Sequence, residues 1–467
     1  MIELTPFLNK RLNVPLYVQL YNYIKSEIEA GEIPEGSSLP SIRYLSEHLR
    51  ISKNTIENAY QQLVAEGYVE SKPRSGLKVL PMEKTLTSRQ NIKNTMRIES
   101  DFVRGRMYPY DFKYGDVDSH HFPLKKWKRC LQDSLEGPDA GLYVYGDEQG
   151  DKSLRKEIAS YLFQARGVTC SPEQIVICAG TQHAISLICQ LLSLHGKSVA
   201  FENPGYDGVR SVFENHGCHI SAISLESDGL DLNRLEESRE NLVYITPSHQ
   251  FPYGMVLPIQ KRQKLLDWAH KNKSYIIEDD YDSEFRYQGQ PIPSLKALDT
   301  KENVIYLGTF SKSFLPAARL SYMVVPSRLV KEFKQKLNYN QSAPLITQRA
   351  MSLFMKDGSF ERHVRKMKKV YHGKHNALLH AIETHLSDNV EVIGSKAGLH
   401  ILLRVNHRDS SQELVRKAGE YGVKVYSPEK YWLDKEQSPS SLIMLGFGGM
   451  TEEQIEAGIC LLKKAWY

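Results

Sequence analysis

Val304-Ile305-Tyr306-Leu307-Gly308-Thr309-Phe310-Ser311-Lys312-Ser313 is the stretch on which the fold turns. Val304–Leu307 has the composition of a short buried strand, and Gly308 breaks the run. Small hydroxyl residues and a single lysine follow directly. Layered α/β folds hold their ligands beyond the carboxyl ends of such strands, so a lysine delivered there is a candidate reactive group. Taken alone, a Ser-Lys pair is usually just surface, and the context has to decide.

On either side of this stretch, strand-like apolar runs alternate with helical ones from residue 110 onward. The strand candidates are Ile175–Cys178, Ser198–Glu202, Leu242–Thr246, Tyr275–Glu278, Val304–Leu307 and Leu320–Val325. That alternation predicts a large α/β domain with a mostly parallel sheet. After about residue 390 the order becomes strand, strand, helix, strand, helix, which predicts a smaller α+β lobe.

The residues at the strand ends point to pyridoxal 5'-phosphate. That cofactor needs a lysine for a Schiff base, an acid at its ring nitrogen, a donor to its ring hydroxyl and an anion pocket. Lys312 supplies the lysine. Asp279 and Tyr281 lie two apart at the end of a strand, so their side chains can share a face. Gly180-Thr181-Gln182 joins a strand to a helix and offers backbone N–H groups to a phosphate. Thr309, Ser311 and Arg319 complete the expected anion pocket, and Tyr206 is placed to stack on the ring.

The first eighty residues read differently. Pro15 opens a helical pattern at Leu16, Leu20, Tyr23, Ile24 and Ile28, and Gly31 stops it. A second helix begins near Pro40 with Ile42, Leu45 and Leu49 on one face. Ser52 is the N-cap of a third, whose buried side is expected at Ile56, Ala59, Tyr60, Leu63 and Val64, with Gly67 as its stop. Two extended pieces, Tyr68–Ser71 and Leu77–Leu80, joined through Pro73-Arg74-Ser75-Gly76, form a hairpin wing. The result is a winged helix-turn-helix with polar residues leading its recognition helix. A three-helix protein-interaction module is the competing reading.

The bulk properties set limits on both halves. With 467 residues the chain fits one large domain and one small one, and 41% hydrophobic with 25% charged residues is ordinary for a globular protein. No run approaches the roughly 20 apolar residues of a membrane helix, and the N-terminus lacks a secretory pattern, so the expected compartment is the cytoplasm. The six cysteines are scattered without a C-x-x-C pair, so neither a metal site nor a disulfide is expected. Residues 1–80 balance nine cations against nine acids, but Glu27, Glu29, Glu32 and Glu35 cluster apart from Lys72, Arg74 and Lys78. Residues 81–109 hold six cations against three acids and lack apolar periodicity, which reads as a mobile basic tether. The expected domains are therefore 1–80, 81–109 and 110–467.

Several spaced motifs carry a family resemblance. Leu39-Pro40-Ser41-Ile42-Arg43, Ile51-Ser52-Lys53-Asn54-Thr55 and Ala65-Glu66-Gly67-Tyr68-Val69 resemble the winged-helix head of GntR regulators. Tyr145-Gly146-Asp147-Glu148-Gln149-Gly150, Pro247-Ser248-His249-Gln250-Phe251-Pro252 and the strand-end motifs above resemble fold-type I aminotransferases. Together the chain is similar to the MocR subfamily of GntR transcriptional regulators. That resemblance implies a double-stranded DNA operator contacted by Arg43, Ser52, Lys53, Asn54 and Thr55, with Arg74 and Gly76 in the wing. Glu57 departs from the family, whose members often carry a cation there. The resemblance also implies a domain-swapped, head-to-tail homodimer in which Tyr145 reaches the phosphate of the partner's cofactor.

Two departures bear on function. Active aminotransferases place an arginine for the substrate carboxylate before a C-terminal Leu-x-Phe-type strand; here Met444 stands in Ile443-Met444-Leu445-Gly446-Phe447. The Asn-Pro-x-x-Pro-Thr-Gly motif of those enzymes is here His249-Gln250-Phe251-Pro252-Tyr253-Gly254. GABA-responsive members of the subfamily place two arginines on the ligand carboxylate. Gly208 and Lys430 take those positions, with Arg210 one helical turn along as a substitute. The leading expectation is a regulator that senses an amine or amino-acid effector, or the cofactor itself, at Lys312. The alternatives are a working aminotransferase carrying a DNA-binding head, and a DNA-binding protein with a dead enzyme fold.

Overall fold

The computed structural model describes residues 4–9, 14–72, 76–81, 108–136, 142–238, 240–289, 292–336 and 341–467. The chain divides into two units, Met1–Gly105 and Arg106–Tyr467. Most of the tether expected over residues 81–109 lies outside the described residues, as does Arg74.

In the first unit, α1 (Leu16–Ala30), α2 (Ile42–Leu49) and α3 (Lys53–Ala65) precede a hairpin of β1 (Val69–Lys72) and β2 (Gly76–Val79). Gly31 ends α1 in the left-handed conformation that glycine adopts without penalty. Ser41 and Ser52 cap α2 and α3 by accepting from the Tyr44 and Thr55 N–H groups. Leu20, Ile24, Leu45, Ile56, Ala59, Tyr60 and Leu63 interlock with Val69 and Val79 of the hairpin. Val64 departs from expectation: it is 39% exposed, because the helix turns it away from the stripe set by Ile56, Tyr60 and Leu63.

The second unit is built on an eight-stranded sheet in the order β4-β11-β10-β9-β8-β5-β6-β7. These strands are β4 (Ile175–Cys178), β5 (Ser198–Asn203), β6 (His219–Glu226), β7 (Gly229–Leu230), β8 (Leu242–Ile245), β9 (Tyr275–Asp280), β10 (Val304–Thr309) and β11 (Ser321–Val324). β10, β9, β8, β5 and β6 run parallel, while β11 is antiparallel to both its neighbours. Central strands covered by helices on both faces are buried throughout, which explains their nearly unbroken apolar runs. The predicted strands all form; β6 was missed because its polar and half-buried residues mask the pattern.

The smaller lobe holds β12 (Val390–Ile393), β13 (His400–Val405) and β15 (Leu442–Gly446) as an antiparallel sheet. The helices Ser359–His385, Ser411–Glu420 and Glu452–Trp466 pack around it. A further two-residue strand, β14 (Val423–Lys424), pairs with β3 (Tyr110–Asp111) from the start of the unit. That pairing brings Tyr114 and Gly115, which follow β3, toward the ends of the central strands.

Candidate functional site

The acid run at the end of β9 is sorted by the twofold period of a strand. Glu278 and Asp280 point to one face, and Asp279 and Tyr281 to the other. Glu278 accepts from the N–H groups of Leu295 and Lys296, each at 2.7 Å, at the start of a short helix. Asp280 accepts from Arg166 at 2.7 Å and from the Tyr306 hydroxyl at 2.6 Å. Those two acids are structural. Asp279 instead faces a cavity, where Tyr244 donates to its Oδ2 at 2.6 Å and its buried Oδ1 has no partner among the described residues. Burial pushes Asp279 up to about 7, against the Tyr244 hydrogen bond.

The same cavity is lined by Gly180, Thr181, Gln182, Tyr206, Tyr281, Thr309, Ser311, Lys312 and Arg319. Ten of the eleven residues expected at the cofactor therefore converge, the tenth being Asp279. Gly180 has a φ of +104° and opens the helix Thr181–Leu191, whose positive end faces the cavity. A side chain at Gly180 would meet Arg319 Nη2 at 2.3 Å, so the arginine lies directly on that turn. Arg319 Nη2 also donates to the Ala179 carbonyl at 3.0 Å. Thr309 and Ser311 bond to each other at 3.0 Å and sit on the same side.

Lys312 Nζ rests 4.1 Å from the centre of the Tyr114 ring. Burial lowers its pKa to about 8, with Asp282 and Asp116 opposing the shift. Beside it, the Tyr281 hydroxyl donates to the His249 carbonyl at 3.0 Å. A planar ligand with a protonated ring nitrogen, an adjacent oxygen and a phosphate arm would meet a partner at each of these points.

Tyr145 is the eleventh residue and is absent from the cavity. Its side chain is 83% exposed next to Tyr143 and Val144, over the segment Gln341–Arg349. Neither expected effector residue lines the cavity. Arg210 donates to the carbonyls of Trp432 and Lys430 at 3.0 and 2.9 Å, and Lys430 pairs with Asp207 at 3.1 Å. Gly208 leaves room for the Tyr206 ring, which a Cβ there would meet at 2.7 Å.

Tyr114, Gly115, Tyr244, Thr246 and Pro316 also line the cavity without having been expected there, and Phe251 was expected only as part of a motif. Tyr244 and Thr246 carry a usable signal, since they end a predicted strand with the spacing of Asp279 and Tyr281. Tyr114 and Gly115 lie outside any predicted element and become visible only through the β3–β14 pairing.

In the head, Arg43, Lys53 and Asn54 are exposed at the starts of α2 and α3. Ser52 and Thr55 are joined by a 2.8 Å side-chain hydrogen bond as well as by the cap. Gly76 begins β2 with a φ of +74°.

The aminotransferase class I and II family matches residues 112–459, and the gntR family of bacterial regulatory proteins matches residues 16–79. The chain is 31% identical to the probable rhizopine catabolism regulatory protein MocR of Rhizobium meliloti, over 98% of this chain and 95% of that one. This is a MocR-type protein. It joins a GntR-family helix-turn-helix head to an aminotransferase class I and II domain, the architecture of a transcriptional regulator. Another relative, the uncharacterized HTH-type transcriptional regulator YdeL of Bacillus subtilis (strain 168), is 41% identical over all of both chains. Among solved structures, an archaeal alanine:glyoxylate aminotransferase matches with a TM-score of 0.71 and 28% identity, covering 78% of this chain and 92% of that one. Domains of the aminotransferase family typically bind pyridoxal phosphate. No helix among the described residues is long and apolar enough to cross a membrane.

Proposed function

We propose that this MocR-type protein is a cytoplasmic regulator that binds pyridoxal 5'-phosphate at Lys312 and senses an amine there, changing how its heads engage an operator. One observation carries the reading: the unpartnered Oδ1 of buried Asp279 faces the same cavity as Lys312, Tyr281 and the Gly180–Gln182 turn. A buried carboxylate oxygen without a donor is costly, and a protonated ring nitrogen is the donor that fits it.

When bound, pyridoxal phosphate supplies an aldehyde attached to an electron-withdrawing ring. Asp279 would hold the ring nitrogen's proton, and the Tyr281 hydroxyl would donate to the ring oxygen. The backbone at Gly180, Thr181 and Gln182, with Thr309, Ser311 and Arg319, would receive the phosphate. Tyr206 would cover one ring face. Lys312, its pKa lowered to about 8, keeps a neutral, nucleophilic fraction near physiological pH.

The winged head of about residues 1–80 would contact DNA through Arg43, Ser52, Lys53, Asn54, Thr55 and the wing at Arg74 and Gly76. A basic connection over 81–109 would join it to the sensing domain. The exposed run Tyr143-Val144-Tyr145 is apolar surface that a head-to-tail second copy would cover, carrying Tyr145 to the partner's cofactor. An effector with unequal affinity for two arrangements of that dimer would shift operator binding.

The test is spectroscopic. Full-length protein dialysed against pyridoxal phosphate should show a visible absorbance band that Lys312→Ala loses while keeping its fold by circular dichroism. Lys312→Ala should also lose any effector-dependent change in operator binding. A variant that kept band and response would overturn the assignment.

A further inference from the structure

Part of the cavity wall is built of aromatic rings. Phe251 is the hub, with ring centres 5.3 Å from Tyr114, 5.6 Å from Tyr206 and 6.0 Å from Tyr281. Behind it lie Tyr431 at 4.7 Å and His400 at 5.4 Å. Met444 belongs to the same cluster, 1% exposed, with its sulfur 3.8 Å from the Tyr431 hydroxyl. Along β15, Leu442 and Met444 face this wall while Ile443 and Leu445 face the core of the smaller lobe. The position from which a carboxylate-binding cation would reach the ligand is therefore filled by a thioether.

Among the described residues that line the cavity, none replaces that charge. Among the described residues, two cations line the cavity, Lys312 and Arg319. Lys312 would be the amine-reacting group, and Arg319 is folded over Gly180, where the cofactor's phosphate would lie, and donates to the Ala179 carbonyl. His400 is fully enclosed and bonded to the Pro252 carbonyl at 3.0 Å, and burial drives its pKa down to about 3, so it stays neutral. Neither Arg210, bonded to the Trp432 and Lys430 carbonyls, nor Lys430, paired with Asp207, lines the cavity.

We propose that the effector is a primary amine whose remainder is apolar or aromatic and carries no carboxylate. This rests on the cofactor reading above and narrows it. The ligand's amine would meet Lys312 and the cofactor, and its uncharged end would lie against Tyr114, Tyr206 and Phe251. Amino acids, GABA included, would have to bury an anion against rings without a counter-cation.

The experiment uses matched pairs that differ only by the carboxylate: 2-phenylethylamine against L-phenylalanine, and butylamine against L-norvaline. Each is titrated calorimetrically into full-length, cofactor-loaded protein freed of excess cofactor. An unpaired buried carboxylate should weaken binding by at least about tenfold, so each amine should bind tighter than its amino acid by that factor or more. Amino acids that bind as tightly as their amines overturn the inference, and so does an absence of binding by both amines. Either result leaves the cofactor reading standing if the visible band is present before titration. Absence of that band from wild-type protein sinks the cofactor reading itself.

Discussion

His249 and Asp282 form a closed pair beneath Tyr281, with the imidazole Nδ1 3.0 Å from the carboxylate Oδ2 and 3.1 Å from Oδ1. Both side chains are buried, 2% and 1% exposed. The Tyr281 hydroxyl lies 3.0 Å from the same Nδ1 and donates to the His249 carbonyl, also at 3.0 Å. Gly398 is required beside them, since a Cβ there would meet the imidazole Cε1 at 2.2 Å and Asp282 Oδ2 at 2.6 Å. Asp282 is also the leading acid opposing the desolvation of Lys312. The pair thus links Tyr281 and Lys312.

Asp282→Asn should lower the Lys312 pKa further below its present value of about 8, because it removes that opposing charge while keeping the side chain's size. The midpoint can be followed by NMR on protein whose lysines carry isotope-labelled methyl groups, with Lys312→Met assigning the signal. An unchanged or higher midpoint would count against the pair's role. Loss of the charge-assisted bond to His249 should also cost about 1–3 kcal/mol of stability.

Lys312→Met should stabilise the cofactor-free protein at neutral pH. A lysine at about 8 in the fold and 10.5 when unfolded binds its proton less readily in the native state. The penalty is fully present below pH 8 and fades as pH rises toward 10.5. Melting curves should therefore show a gain at pH 7 that shrinks between pH 8 and 10. A gain that grew with pH would contradict the assignment.

Cofactor affinity should fall on acidification through pH 7. Asp279 sits at about 7, and once protonated it can no longer take the charge of a pyridinium. Lys312, protonated below about 8, weakens loading in the same direction. Equilibrium dialysis from pH 6 to 9 should show affinity rising across the range. Asp279→Asn should lower affinity throughout and flatten the part of the curve near pH 7. Tighter loading at pH 6 than at pH 8 would refute this.

Arg43 and Lys53 should carry part of the salt dependence of operator binding. The Arg43 side chain is 82% exposed and only 3.4 Å from Glu47, an ion pair that DNA phosphate can outcompete at little cost. Each phosphate contact adds about one unit to the slope of log affinity against log salt. Arg43→Ala and Lys53→Ala should each give a shallower slope in operator titrations at several salt concentrations. Unchanged slopes in both would favour a protein-binding head.

Much of the site was legible because strand periodicity is local. Two-residue spacing places Asp279 and Tyr281 together and sends Asp280 to the far face, without reference to anything distant. Helix ends were equally legible: Ser52 caps α3 through its own side chain, and Gly31 stops α1 through its own backbone freedom. Val64 was misjudged because a helical stripe has an edge, and the packing partner alone decides which border residue is covered.

The sequence by itself determined the two-part architecture and the strands of the large domain, and it set Lys312 just beyond one of them, since each depends on neighbours within a few residues. Tertiary structure alone decided what surrounds that group. Tyr114, Phe251, His400 and Met444 come from segments separated by up to 330 residues, and their convergence rests on the β3–β14 and β13–β15 pairings. The same holds for Arg210 and Lys430, which a linear alignment sets near the ligand. Their hydrogen-bonding groups have closer partners in Trp432 and Asp207, and a charged group settles where its desolvation is best compensated.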